Sequence, residues 1–210
     1  EITCRDWSSD VCSSDLKLRT RTKMFYGVGD LGNALVNSAI QFFLMKFYTD
    51  GALISPALAG NALLIGKIWD AVNDPLFGWL TDKTKSRFGK RRVFMFFGAI
   101  PLAIAVALLW WVPQVDRIWT FIWIAATFLL FDTIWTFTNV PYYALTSELT
   151  DDYDERSSLT TYRMGMAVPA YLIGAALTPA IVGLFAVQRT GWAFIGIVYG
   201  AFAADRKSVV

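Results

Sequence analysis

The chain has 210 residues, 55% hydrophobic and 17% charged, with a formal net charge of +2. Soluble domains carry about 25% charged residues, and a soluble fold of this length could not bury so much apolar surface. The small net charge argues against a nucleic-acid partner. With no histidine, and with Cys4 and Cys12 as the only cysteines, His-based metal centres and Ser–His or Cys–His catalysis are excluded, and an enzyme is not expected.

Residues 1–16, EITCRDWSSDVCSSDL, are polar and lack the layout of a signal peptide. They resemble a translated sequencing adapter, as does DRKSVV at 205–210. Both stretches are read as non-native, leaving 17–204 as the body of a chain expected to be truncated at both ends. Within that body, apolar blocks lie at about 24–48, 56–80, 93–113, 118–145, 161–186 and 191–204. About 20 apolar residues cross a bilayer as a helix, so the expectation is an all-α membrane protein with six transmembrane helices. Lys17, Arg19, Arg21 and Lys23 precede the first block, and Lys83, Lys85, Arg87 and Lys90 to Arg92 follow the second. The loops at 50–56 and 113–116 have no Lys or Arg, although Arg117 edges the second. The positive-inside rule then puts the N-terminus, the 82–92 loop and the C-terminus on the cytoplasmic side of an inner (plasma) membrane.

Block one carries Asp30, Asn33, Asn37 and Gln41 at steps of three, four and four, hence on one helical face. Such a stripe suits a bundle interior or a water-filled cavity. Gly27, Gly29 and Gly32 allow close helix approach. GVGDLG matches a dinucleotide fingerprint, but no strand precedes it and that reading is rejected.

Block two places Lys67, Asp70 and Asp74 on one face, with Asn73 beside them. An ionisable group at membrane depth costs roughly 2.5–3.5 kcal/mol and commonly marks an ion or substrate pathway. Lys67 offsets one carboxylate. One negative charge is left for a monovalent cation, with Asn73 adding a neutral oxygen. The alternative is a buried ion-pair network that locks helix packing.

Block four carries Asp132, Thr136, Asn139 and Tyr143 on one face, flanked by Trp135 and Tyr142. Carboxylates and amides suit sugar hydroxyls, and aromatic rings suit sugar C–H faces. Trp135 is assigned to a cavity, whereas Trp119 and Trp192 are assigned to the interfacial belt. Block five begins with Arg163 and has a packing seam of Ala167, Ala170 and Gly174. The preceding segment, SELTDDYDERSS, is acidic around Arg156. It is read as a loop, either a charge latch against the 82–92 loop or simply solvated. Polar stripes in blocks one and four, the first helix of each three-helix set, fit an inverted repeat.

GWLTDKTKSRFGKRR (78–92) resembles the cytoplasmic loop motif of the major facilitator superfamily. YGVGDLGN (26–33), FYTD (47–50), KIWDAVNDPLFGWLTDKT (67–84), NVPYYALTSELTDDYDERSSL (139–159) and Tyr162–Arg163 resemble its glycoside–pentoside–hexuronide:cation symporters, the melibiose permease relatives. The resemblance implies the N-terminal half of a twelve-helix transporter, with the C-terminal six-helix half as its missing partner. It implies sugar or glycoside uptake coupled to Na⁺, Li⁺ or H⁺ by alternating access, without a further cofactor. It also implies a cation site at Asp70, Asn73, Asp74 and Thr136, balanced by Lys67. Substrate contacts fall to Asp30, Asn33, Asn37, Asp132, Trp135, Asn139, Tyr143 and Arg163, between helices one, four and five. Gly78, Asp82, Arg87, Gly89, Lys90, Arg91 and Arg156 would form the cytoplasmic gate. The melibiose permease pattern has acids where this chain has Ala34 and Asn139, a departure from its α-galactoside site. A second reading is the same scaffold moving a non-sugar solute such as a lysolipid or organic anion, against which the amide and carboxylate stripes of helices one and four count. A non-transporting membrane fragment acting as an assembly partner is the third reading.

Overall fold

The computed structural model describes residues 20–83, 92–113, 115–149 and 152–205. Within them the chain forms six α-helices and no strand: α1 (Thr20–Lys46), α2 (Pro56–Lys83), α3 (Arg92–Leu109), α4 (Arg117–Leu149), α5 (Tyr153–Gly183) and α6 (Gln188–Asp205). A π-helical turn, Phe47–Gly51, extends α1. The length and hydropathy of Arg117–Ala144 and Tyr153–Gly183 suffice to cross a membrane. In α1 and α2 the polar residues of the candidate site lower the hydropathy. Pro75, Pro101, Pro141, Pro169 and Pro179 sit inside helices, which packed membrane helices tolerate.

The acidic segment before block five is mostly helical, not a loop. α4 runs to Leu149, and α5 starts at Tyr153. Asp152 caps α5 by accepting from the Asp154 amide at 3.1 Å. Asp154 and Glu155 in the first turn complement the positive end of the helix dipole.

α1 packs along α5, α4 packs along α2, and α3 lies against α4 and α6. Exchanging the sets α1–α3 and α4–α6 converts the first pair into the second, the pairing an inverted repeat requires. The α1–α5 seam uses small residues as expected. A Cβ on Gly174 would lie 3.2 Å from the Leu35 carbonyl oxygen, and Ala170 is fully buried. At one end of the seam, Lys23 pairs with Glu155 at 2.7 Å and donates to Ser158 at 2.9 Å.

Trp192 departs from its belt assignment. It is buried and stacked on Trp110, with centroids 5.1 Å apart and planes at 4°. Phe47 joins the pair from the π-turn. Gly196 and Gly200, one turn apart, let α6 close on α3. That approach carries Trp192 into the core. Trp119 remains 63% exposed.

Candidate functional site

α1, α2 and α4 enclose a cavity of about 590 Å³. Its polar wall comprises Asn37 and Gln41 from α1, Lys67, Asp70 and Asp74 from α2, and Asp132, Trp135, Thr136, Asn139 and Tyr143 from α4. Its apolar wall includes Ile40, Leu44, Leu63, Phe128 and Phe131. The helical spacing explains the grouping: each polar stripe repeats every three or four residues and therefore turns one face to the cavity. No residue of α5 lines it, whereas the expected placement lay between helices one, four and five.

On the α2 side, Lys67 Nζ lies 3.2 Å from Asp70 Oδ2. Thr136 Oγ1 donates to Asp74 Oδ1 at 3.1 Å. Nearby, Trp69 Nε1 donates to Thr133 Oγ1 at 2.9 Å, a second polar link between α2 and α4. Asp74 is exposed on its helix, whereas Thr136 is buried. Asn73 does not reach the cavity wall. It is 1% exposed, with neither amide atom hydrogen-bonded. One residue from Asp74 is about 100° around the helix, which turns Asn73 into the bundle.

On the α4 side, Asp132 is 4% exposed, and its Oδ2 has no hydrogen-bond partner in the protein. Asn139 donates to the Trp135 carbonyl of its own helix at 3.0 Å. Three carboxylates, Asp70, Asp74 and Asp132, thus share the cavity with one lysine. The sequence count of two acids and one base omitted Asp132, because helical spacing does not say which helices face each other. Among the described residues, no three carboxylate, thiol or imidazole groups close up tightly enough to hold a metal ion.

Asp30, Asn33 and Arg163 were expected to touch substrate, but they form a layer behind Tyr143. Asn33 Nδ2 donates to Tyr143 Oη at 2.8 Å and to Asp30 Oδ1 at 3.3 Å. Arg163 lies 3.7 Å from Asp30 and 5.0 Å from the centre of the Tyr143 ring. Asp30 and Arg163 neutralise each other, so the layer adds no net charge to the cavity. Among the gate residues, Gly78 lies on α2 and accepts from Thr81 through its carbonyl at 2.9 Å. Arg156 is half-buried on α5. The backbone of Asp82 belongs to α2, whereas Arg87, Gly89, Lys90 and Arg91 lie outside the described residues, as does the loop half of the charge latch.

Residues 25–204 match the family described as MFS/sugar transport protein. Similar proteins include the uncharacterized symporter sll1374 of Synechocystis sp., 41% identical over 77% of this chain and 31% of the relative. YagG of Escherichia coli, provisionally named a glycoside/cation symporter, is 36% identical over 74% of this chain and 34% of the relative. The sodium-dependent lysophosphatidylcholine symporter 1-B of Danio rerio is 35% identical over 80% of this chain and 32% of the relative. The chain spans about a third of the length of these curated relatives. The match over most of the chain makes this protein a member of the MFS/sugar transport family, whose relatives here are named as membrane symporters rather than enzymes.

Proposed function

We propose that this chain is the N-terminal six-helix half of a twelve-helix symporter that couples uptake of a sugar or glycoside to Na⁺, Li⁺ or H⁺. The observation that carries this reading is the junction of Asp70, Asp74 and Thr136 on the wall of a cavity that also presents amides and aromatic rings. Asp70 and Asp74 supply charge to the cation, and Thr136 supplies a neutral oxygen. A rotation of α2 about its own axis would bring in the unpaired amide of Asn73 and complete the set. Lys67 limits the excess negative charge. The Lys67–Asp70 pair and the Thr136–Asp74 hydrogen bond are then contacts the arriving cation rearranges.

The substrate sits between α1, α2 and α4. Asp132, Asn37 and Asn139 meet its hydroxyls, and Trp135 and Tyr143 meet its C–H faces. A volume of about 590 Å³ falls within the roughly 300–1,000 Å³ usual for small-molecule sites. All six helices span the inner (plasma) membrane with both ends of the unit at the cytoplasm. A second six-helix half rocks against this one to alternate access, and the region around Gly78, Asp82, the 87–91 segment and Arg156 gates the cytoplasmic mouth. A second reading has one observation in its favour. The apolar wall of Ile40, Leu44, Leu63, Phe128 and Phe131 suits an amphipathic solute, and lysophosphatidylcholine is named for the Danio rerio relative.

The test is equilibrium binding of a glycoside panel and a lysophospholipid panel, with and without Na⁺ or Li⁺ and across pH. Coupling is reciprocal, so cation must tighten substrate binding by the factor that substrate tightens cation binding. Tightening with a glycoside supports the first reading, and tightening with a lysophospholipid supports the second. Binding indifferent to Na⁺, Li⁺ and pH overturns symport.

A further inference from the structure

At the end of the bundle opposite the first turn of α1, the α1–α2, α3–α4 and α5–α6 connections meet around a second pocket of about 310 Å³. Arg117 and Arg189 both line it. Arg117 opens α4, and Arg189 lies in the first turn of α6. Two guanidiniums therefore meet where two helices begin, and helix beginnings carry positive partial charge and unpaired N–H groups. Asp50 and Asp116 adjoin the lining residues in sequence, yet no carboxylate is among the described residues that line the pocket. Two like charges repel in one pocket, and no carboxylate among the described lining residues offsets them. The Arg189 guanidinium is oriented by a hydrogen bond to the Val112 carbonyl, which leaves other N–H donors of its fork for a ligand.

Large apolar side chains are exposed at this end, alongside the exposed Asp50 and Asp116. Leu53, which lines the pocket, is 82% exposed, Ile118, next to Arg117 on α4, is 73%, and Leu184, in the α5–α6 connection, is 83%; Trp119 follows Ile118. Exposed Trp at a helix end is the pattern of a membrane–water interface.

We propose that this pocket binds a phosphate group held between Arg117 and Arg189. Arginine forks match phosphate oxygens in paired, charge-assisted hydrogen bonds. The apolar rim makes an anionic phospholipid headgroup the better source than a free phosphate. The acyl chains would lie over Leu53, Ile118 and Leu184. The site is separate from the central cavity and does not depend on the symport reading.

The experiment offers the chain purified in detergent three probes separately: phosphatidylglycerol, phosphatidylcholine and inorganic phosphate. Native mass spectrometry counts retained lipid, and titration calorimetry reads phosphate. The expected result is preferential retention of phosphatidylglycerol, lowered about fivefold by R117Q or R189Q, the order of one basic side chain at an anionic surface. Added salt should weaken the preference. Because Arg189 also holds Val112, the exposed Arg117 gives the decisive variant, and R189K, which keeps the charge but not the fork, should retain more of the preference than R189Q. Inorganic phosphate binding that R117Q weakens would support the same pocket with a soluble anion as its ligand. Equal retention of both lipids with no phosphate binding, or an unchanged preference in R117Q, would overturn the proposal.

Discussion

Thr136 on α4 donates its hydroxyl hydrogen to Asp74 on α2 at 3.1 Å, joining the wall that carries Trp135 to the wall that carries Lys67 and Asp70. Thr136 is 2% exposed, so Thr136→Val keeps the shape and removes only the hydroxyl. A hydrogen bond to a charged group contributes about 1.5–3 kcal/mol. The substitution should therefore raise the Na⁺ or Li⁺ concentration for half-maximal uptake by roughly tenfold or more in the intact transporter. An unchanged activation curve would separate Thr136 from the cation.

Asp132 and Asp30 should behave differently. Asp132 lines the cavity with an unpartnered buried oxygen, so Asp132→Asn should abolish substrate binding. Asp30 acts through Asn33 and Tyr143. Asp30→Asn should weaken binding by about tenfold, the scale of one hydrogen bond to a charged group, and Tyr143→Phe should resemble it. Equilibrium binding distinguishes the cases, and unchanged binding in both Asp variants would remove these carboxylates from the substrate site.

The contrast between these carboxylates marks how far the sequence alone reaches. Spacing of three and four residues assigns Asp30 to one face of α1 and Asp132 to one face of α4. It does not say which neighbour each face meets. Asp30 meets Arg163 and ends up behind Tyr143, whereas Asp132 meets the cavity. Asn73 illustrates the same limit at finer scale, since a single residue step turns it off the wall that Asp74 occupies. The polarity of the acidic segment before α5 suggests a loop, but in the fold the same polarity supplies the Asp152 cap and an acidic first turn. Trp192 near a helix start suggests an interface, and the approach of Gly196 and Gly200 to α3, which carries it into the core, is set by packing that spacing does not reveal.

The Lys23–Glu155 pair joins α1 to α5 with side chains only 11% and 9% exposed. Removing one partner leaves a charge stranded in the protein. Lys23→Ala and Glu155→Ala should each cost about 3 kcal/mol. The double variant should cost less than the sum. Unfolding of the purified chain in detergent measures the cycle, and strict additivity would mean that the two side chains do not interact.

Gly174 and Gly165 lie on the same helix with opposite surroundings. A Cβ at Gly174 meets Leu35 and Ser38 of α1, whereas one at Gly165 meets nothing within 4 Å. Gly174→Leu should destabilise the bundle by about 1–3 kcal/mol through overpacking, and Gly165→Leu should be tolerated. Thermal unfolding of the two variants checks the α1–α5 seam directly.

Gradient-driven uptake is the most direct test of cation coupling through Asp70 and Asp74. The intact transporter is reconstituted into vesicles and given an inward Na⁺, Li⁺ or proton gradient, with glycoside or lysophospholipid as solute. At least one gradient should drive accumulation above equilibrium, and Asp70→Asn or Asp74→Asn should abolish it while the protein stays folded. Uptake that ignores all three gradients, or accumulation that survives both substitutions, would contradict the account.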